Sequence, residues 1–281
     1  MLLLLKKSIA NSFTMLNLLL GFSALILIAL SFSENVNNIQ VACILIYIAA
    51  LIDVFDGKIA RKLGTSGNFG KEIDSLADLI SFCLVPSFLI FFHYYDPYDS
   101  EGMNLKLGYL IFISSFPLIF GAIRLAMFNA YEKHSNQSYY LGLPTPGNAL
   151  FICSVIYLMH VDINHLNLLT RNYTGFFELI NYPIYQLLFY DFYILLIFCS
   201  FSSILLVSRV HYFKFPTFKS KIGTVNFVSL IGIIIFFIIL LIGLINKEHN
   251  NVILFFITYY IVIGLFSWIW KISKKLIGEK L

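Results

Sequence analysis

The chain has 281 residues, of which 59% are hydrophobic and 12% charged, and its formal net charge is +4. Soluble globular proteins carry roughly 25% charged residues, so this composition excludes an ordinary soluble enzyme and indicates a chain solvated by lipid. The four cysteines, Cys43, Cys83, Cys153 and Cys199, lie in apolar runs without metal-ligand spacing, which reads as small buried side chains.

Apolar runs of about 17–22 residues predict eight transmembrane helices, at about 13–32, 41–60, 73–93, 107–129, 146–161, 185–207, 225–245 and 252–271. The fifth is the weakest, being short and opening at Pro144 and Pro146. The fold class expected is therefore an all-α integral membrane bundle. The connections are too short for a soluble domain, so residues 1–281 read as one membrane domain. The opening Met-Leu-Leu-Leu-Leu-Lys-Lys is too short for a signal peptide and carries its charge on the wrong side.

With these spans, sixteen of the 19 Lys and Arg residues fall on one side, among them Lys6, Lys7, Lys58, Arg61, Arg124 and Lys275. Only Lys106, Arg171 and Lys247 fall on the other. The positive-inside bias then puts both termini in the cytoplasm, together with the connection between the second and third spans. The basic segment Arg209 to Lys221 reads as an interfacial loop facing anionic headgroups. No nucleic-acid partner is expected.

The second and third spans carry the chemistry. Asp53, Asp56, Gly57, Ala60 and Arg61 are spaced i, i+3, i+4, i+7 and i+8, one face of a helix. At ~1.5 Å rise per residue, Asp56 lies roughly 8 Å and Asp53 roughly 12 Å below Arg61. Gly70, Asp74 and Asp78 repeat the device at i, i+4 and i+8. A short glycine-containing connection makes the two spans an antiparallel pair, so four carboxylates can surround one pocket. Carboxylates inside a membrane are costly and need partners. Like charges this close stay ionised only when compensated, and two divalent cations balance four carboxylates. Oxygen-only ligands suit Mg2+ or Mn2+, and two such metals can clamp a phosphoryl group. Gly57, Ala60 and Gly70 leave room for a nucleotide or pyrophosphate, and Arg61 can fork onto a phosphate. Two non-enzymatic readings compete. A set of interhelical ion pairs needs four cations, and Lys58 and Lys62 can instead snorkel to the interface. A divalent cation transporter would spread its acidic residues along several spans rather than at one end of two.

Asp-x2-Asp-Gly-x2-Ala-Arg-x8-Gly-x3-Asp-x3-Asp, matched at every fixed position by residues 53–78, is similar to the signature of the CDP-alcohol phosphotransferases. Further segments resemble that family's CDP-diacylglycerol–serine O-phosphatidyltransferase branch. They are Asn11-x2-Thr14-x2-Asn17-x3-Gly21, Arg124-Leu-Ala-Met127-Phe-Asn129, Gly142-Leu-Pro144-Thr-Pro146 and Leu206-Val-Ser208-Arg-Val-His-Tyr212. The resemblance covers most of residues 11–215, a catalytic core followed by extra helices at about 225–271. Met127, where the branch has a second Arg, and Lys214-Phe-Pro216 depart from it.

The resemblance implies transfer of a phosphatidyl group from CDP-diacylglycerol to L-serine, giving phosphatidylserine and CMP, and a homodimer. It assigns metal binding to Asp53, Asp56, Asp74 and Asp78, the CMP half to Gly57, Ala60, Arg61 and Gly70, and the base to Asp78. Arg124, at roughly the depth of the aspartates, is the candidate for the acceptor's carboxylate. It could equally snorkel or bind phosphate. Asn11, Thr14 and Asn17 line the nucleotide pocket or bond helix to helix. The same fold with glycerol 3-phosphate or inositol phosphate as acceptor is the alternative. Such acceptors want a cluster of Arg and Lys beside the aspartates, which the inner loops offer, outside Arg124 and Lys133, only at Arg209 to Lys221.

Overall fold

The computed structural model describes residues 2–34, 38–63, 67–95, 103–131, 139–159, 192–213, 239 and 249–276. It is a helical bundle. Helix α1 (Leu2–Glu34) pairs along its length with α2 (Ile39–Leu63). Then come α3 (Asn68–Asp78), a π-helical segment (Leu79–Leu84) and α4 (Val85–Tyr94), which run on as one rod. Helices α5 (Met103–Ser114) and α6 (Phe116–Tyr131) follow, broken at Ser115. The remaining helices among the described residues are α7 (Thr145–Met159), α8 (Phe192–Ile204, prolonged by a 3-10 turn, Leu205–Val207) and α9 (His249–Leu276).

Among the described residues, four stretches are long and apolar enough to cross a membrane: Asn11–Ser31, Phe69–Tyr94, Leu107–Ala130 and Asn250–Trp270. Three shorter apolar helices, Ile39–Val54, Thr145–Met159 and Leu196–Val207, stand at the expected second, fifth and sixth spans. The apolar part of α2 stops where the aspartates begin, and α7 starts just after Pro144, whose carbonyl accepts the Asn148 N–H at 3.1 Å. The seventh expected span, 225–245, lies outside the described residues except for residue 239. So does the part of the basic segment beyond Phe213. Large apolar side chains face outward, including Leu19 and Phe22 of α1, Phe112 of α5, Ile197 of α8 and Phe266 of α9. In water such a surface would aggregate, whereas lipid solvates it.

Small residues let the interior close. A Cβ at Gly21 of α1 would run into the Ser81 hydroxyl, and one at Gly121 of α6 would run into the Cys83 sulfur. The π segment, with Ser81, Phe82 and Cys83 buried, is thus held between α1 and α6. A second contact joins α2, α7 and α9. The Tyr47 hydroxyl donates to Asn250 Oδ1 (2.5 Å) and lies 3.3 Å from Ser154 Oγ, and Asn250 Nδ2 donates to the Ser154 carbonyl (3.1 Å).

A short ribbon accompanies the helices. Strands β1 (Tyr139–Leu141) and β2 (His211–Phe213) form an antiparallel ribbon with Tyr140 opposite Tyr212. Gly142, at φ +74°, turns the chain out of β1, and its N–H bonds to the Val210 carbonyl at 2.9 Å. The Leu143 N–H bonds to the Leu205 carbonyl at 2.9 Å. The segments around Gly142 and Tyr212, far apart in sequence, therefore meet. The backbone ladder holds them together.

Candidate active site

Helix α2 brings Asp53 up to α3, which carries Asp74 and ends at Asp78. Each of these three offers a carboxylate oxygen, and the three oxygens lie within 4.8 Å of one another. Asp78 is buried, while Asp53 and Asp74 are half-buried. The structure thus brings together three of the four expected carboxylates. Asp56, Gly57, Ala60 and Arg61 continue along α2, but the placement of their side chains lies outside the described residues.

Asp78 is the most constrained of the three. Asn17 of α1 donates from Nδ2 to Asp78 Oδ1 at 3.4 Å. Asn17 is itself fixed, because the Ser81 hydroxyl donates to its main-chain carbonyl at 3.0 Å. Helix α1 therefore reads both Asp78 and the first turn of the π segment that follows it. Thr14 is buried one turn earlier, and Asn11 Oδ1 would lie 3.8 Å from a Cβ on Gly70. Among the described residues, nothing else would come within 4 Å of that Cβ. Of the two roles left open for this asparagine-threonine stripe, Asn17 takes the helix-to-helix one, with Asp78 as its target.

Helix α6 closes another side. Asn129 Nδ2 donates to Ser75 Oγ at 2.9 Å, and Ser75 in turn donates to the Lys71 carbonyl at 3.0 Å. Arg124 is half-buried on α6 and close enough to Asp78 to interact electrostatically. Its Nε is buried without a hydrogen-bond partner among the described residues. The sequence did not single out Ser75 as a partner of this site, and Asn129 stood out only as part of the segment Arg124 to Asn129. Serine and asparagine become legible there only once the helices are packed.

The donor set fits a hard divalent cation. Three carboxylates converge, all ligands are oxygens, and Asp74 Oδ1 is buried with no hydrogen-bond partner among the described residues. A buried carboxylate oxygen left unpaired is costly, and a cation removes that cost.

Three relatives put this geometry in context. A CDP-diacylglycerol–serine O-phosphatidyltransferase of Helicobacter pylori strain J99 is 26% identical over 269 residues, 96% of this chain and 94% of that protein. The protein of the same name from H. pylori strain 26695 is 32% identical over 148 residues, 53% of this chain and 56% of that one. A third, from Methanocaldococcus jannaschii, is 32% identical over 153 residues, 54% of this chain and 62% of its own. The chain thus spans nearly all of the H. pylori J99 protein and under two thirds of the length of the other two. The family model described as CDP-alcohol phosphatidyltransferase matches residues 7–184, which is more than half of the chain and includes the whole carboxylate cluster, so the chain belongs to that family.

Proposed function

We propose that this protein transfers the phosphatidyl group of CDP-diacylglycerol to L-serine, releasing CMP and forming phosphatidylserine in the membrane. The observation that carries this reading is the cluster of Asp53, Asp74 and Asp78, built on the helices that bear the family signature. Similarity along 96% of the chain to a serine O-phosphatidyltransferase supports serine as acceptor.

Asp53, Asp56, Asp74 and Asp78 would hold Mg2+ or Mn2+, two per site, and the ions when bound offset the charge of the pyrophosphate and of the departing CMP. Gly57, Ala60 and Gly70 leave space for the CMP half, and Arg61 forks onto phosphate. Asp78 accepts the proton of the serine hydroxyl as its oxygen attacks the lipid-side phosphorus. One phosphorus–oxygen bond forms to serine, and the bond to CMP breaks. Asn17 holds the Asp78 carboxylate in position. Arg124 takes the serine carboxylate. The excess of Lys and Arg on one side of the bundle supports a cytoplasmic site and cytoplasmic termini. Residues 1–281 act as one integral membrane domain with its catalytic core at about 11–215, working as a homodimer.

The test is CMP release and lipid product from purified protein with CDP-diacylglycerol and Mg2+ or Mn2+. Serine, glycerol 3-phosphate, inositol phosphate or no acceptor is supplied in separate reactions. Phosphatidylserine formed with serine alone is the expected result. Turnover with a phosphorylated acceptor alone would keep the aspartate chemistry and discard serine. No CMP release from folded protein, together with cation flux in vesicles, would replace the enzyme by a transporter.

A further inference from the structure

Arg124 stands between two groups of residues. Gly121, one turn before it on α6, packs against Cys83, so this face of α6 is turned to the π segment that follows Asp78. Asp78 and Cys83 are within electrostatic reach of Arg124, and so are Tyr140 and Tyr260. Tyr140 belongs to β1 and Tyr260 to the last helix, α9. Both are beyond the aspartate motif, and Tyr260 is beyond the family match at 184.

The tyrosines form a built surface. Tyr140 is the cross-strand partner of Tyr212. The Tyr212 ring is fully buried and lies 5.3 Å from the Tyr260 ring, tilted by 32°. Gly264, one turn after Tyr260, lets α9 press directly onto the Tyr212 ring, where a Cβ would collide. Arg124 Nε and the Tyr212 hydroxyl are buried without hydrogen-bond partners among the described residues. Buried polar groups left unpaired are costly, and a bound polar ligand would repay both. Among the described side chains, Lys71 and Arg209 are exposed, and Arg124 is the sole Lys or Arg that is not. A positive charge with two tyrosines in reach suits a carboxylate and an ammonium carried by the same small molecule. It suits a doubly charged phosphate poorly.

We propose that the ribbon and the last helix complete the acceptor pocket, with Tyr140 and Tyr260 receiving the ammonium end of a zwitterionic amino acid whose carboxylate pairs with Arg124. This rests on the serine-transfer reading and adds to it two specificity-determining residues. It also gives the last helix a role in choosing the acceptor.

The experiment measures initial rates of wild type, Tyr260→Leu, Tyr140→Leu and Tyr260→Phe against serine and against CDP-diacylglycerol, with thermal unfolding of each variant in detergent. Losing an aromatic face from an ammonium raises the serine KM about tenfold in each leucine variant and leaves the KM for CDP-diacylglycerol within about twofold. Tyr260→Phe keeps the ring and stays within about threefold of wild type for serine. A serine KM unchanged in the folded leucine variants overturns the proposal, as does a parallel rise for both substrates. The two leucine variants lie on different elements, so misfolding of one leaves the other as the test. If wild type itself makes no phosphatidylserine, the serine reading fails before any variant is compared.

Discussion

Asp78 gathers more constraints than any other acidic residue described. It is buried at the last turn of α3, accepts from Asn17, has an oxygen within 4.8 Å of one from Asp53 and one from Asp74, and lies within reach of Arg124. A carboxylate held this way can accept a proton from an alcohol in the same place on every turnover. Replacing Asp78 by Asn keeps the shape and removes the base, so kcat for phosphatidylserine formation should fall by about 10²–10⁴. CDP-diacylglycerol should still raise the melting temperature of Asp78→Asn, because the remaining carboxylates and the nucleotide side of the pocket are untouched. Near-normal turnover in that variant would take Asp78 out of the base role. The aspartates themselves were legible in the sequence because charged residues in an apolar chain stand out, and their helical spacing placed them on facing stripes. Asn17 stood out in the sequence within the Asn11 to Gly21 segment, with a nucleotide-lining and a helix-to-helix role both open. That its side chain reaches Asp78 depends on how closely α1 approaches the π segment.

That approach belongs to the scale of elements, where glycines decide which helices can touch. Gly121 and Gly108 both sit on apolar helices, and propensity alone would let alanine stabilise either one. Their surroundings differ. A Cβ at Gly121 meets the Cys83 sulfur of the π segment, whereas a Cβ at Gly108 meets nothing within 4 Å among the described residues. Gly121→Ala should therefore cost about 1–3 kcal/mol of stability, the usual range for overpacking. Gly108→Ala should be neutral or gain up to about 1 kcal/mol. Unfolding of the two variants in detergent, compared with wild type, checks the contrast. Equal midpoints would mean that α6 does not press on the π segment. Hydropathy foretold where helices run, since an apolar stretch needs no partner to be recognised. It did not foretell that the turns after Asp78 widen, because Leu79–Leu84 is as apolar as its surroundings. Nor did it foretell the ribbon. Three-residue strands give too little alternation to read, and their pairing joins segments some seventy residues apart.

At the scale of the whole molecule, the question is how the last helix stays fixed to a bundle that already carries the aspartates. Apolar packing gives little orientation inside lipid, because a leucine is solvated about as well by an acyl chain as by another leucine. A buried polar contact is more selective. Tyr47 of α2, Ser154 of α7 and Asn250 at the start of α9 supply one, and each side chain is buried. Tyr260 lies ten residues on from Asn250, about 15 Å farther along the same helix at the usual rise per residue. A shift of α9 at the Tyr47 contact would therefore be carried to the tyrosines beside Arg124. Asn250→Leu should lower stability by about 0.6–2 kcal/mol, the range measured for hydrogen bonds between membrane helices. Tyr47→Phe should cost a similar amount. Since both remove the same contact, the double variant should lose less than the sum of the two single losses. Denaturation in mixed detergent, run on all four proteins, measures that coupling. Strict additivity would mean that Tyr47 and Asn250 act separately, Asn250 through its bond to the Ser154 carbonyl.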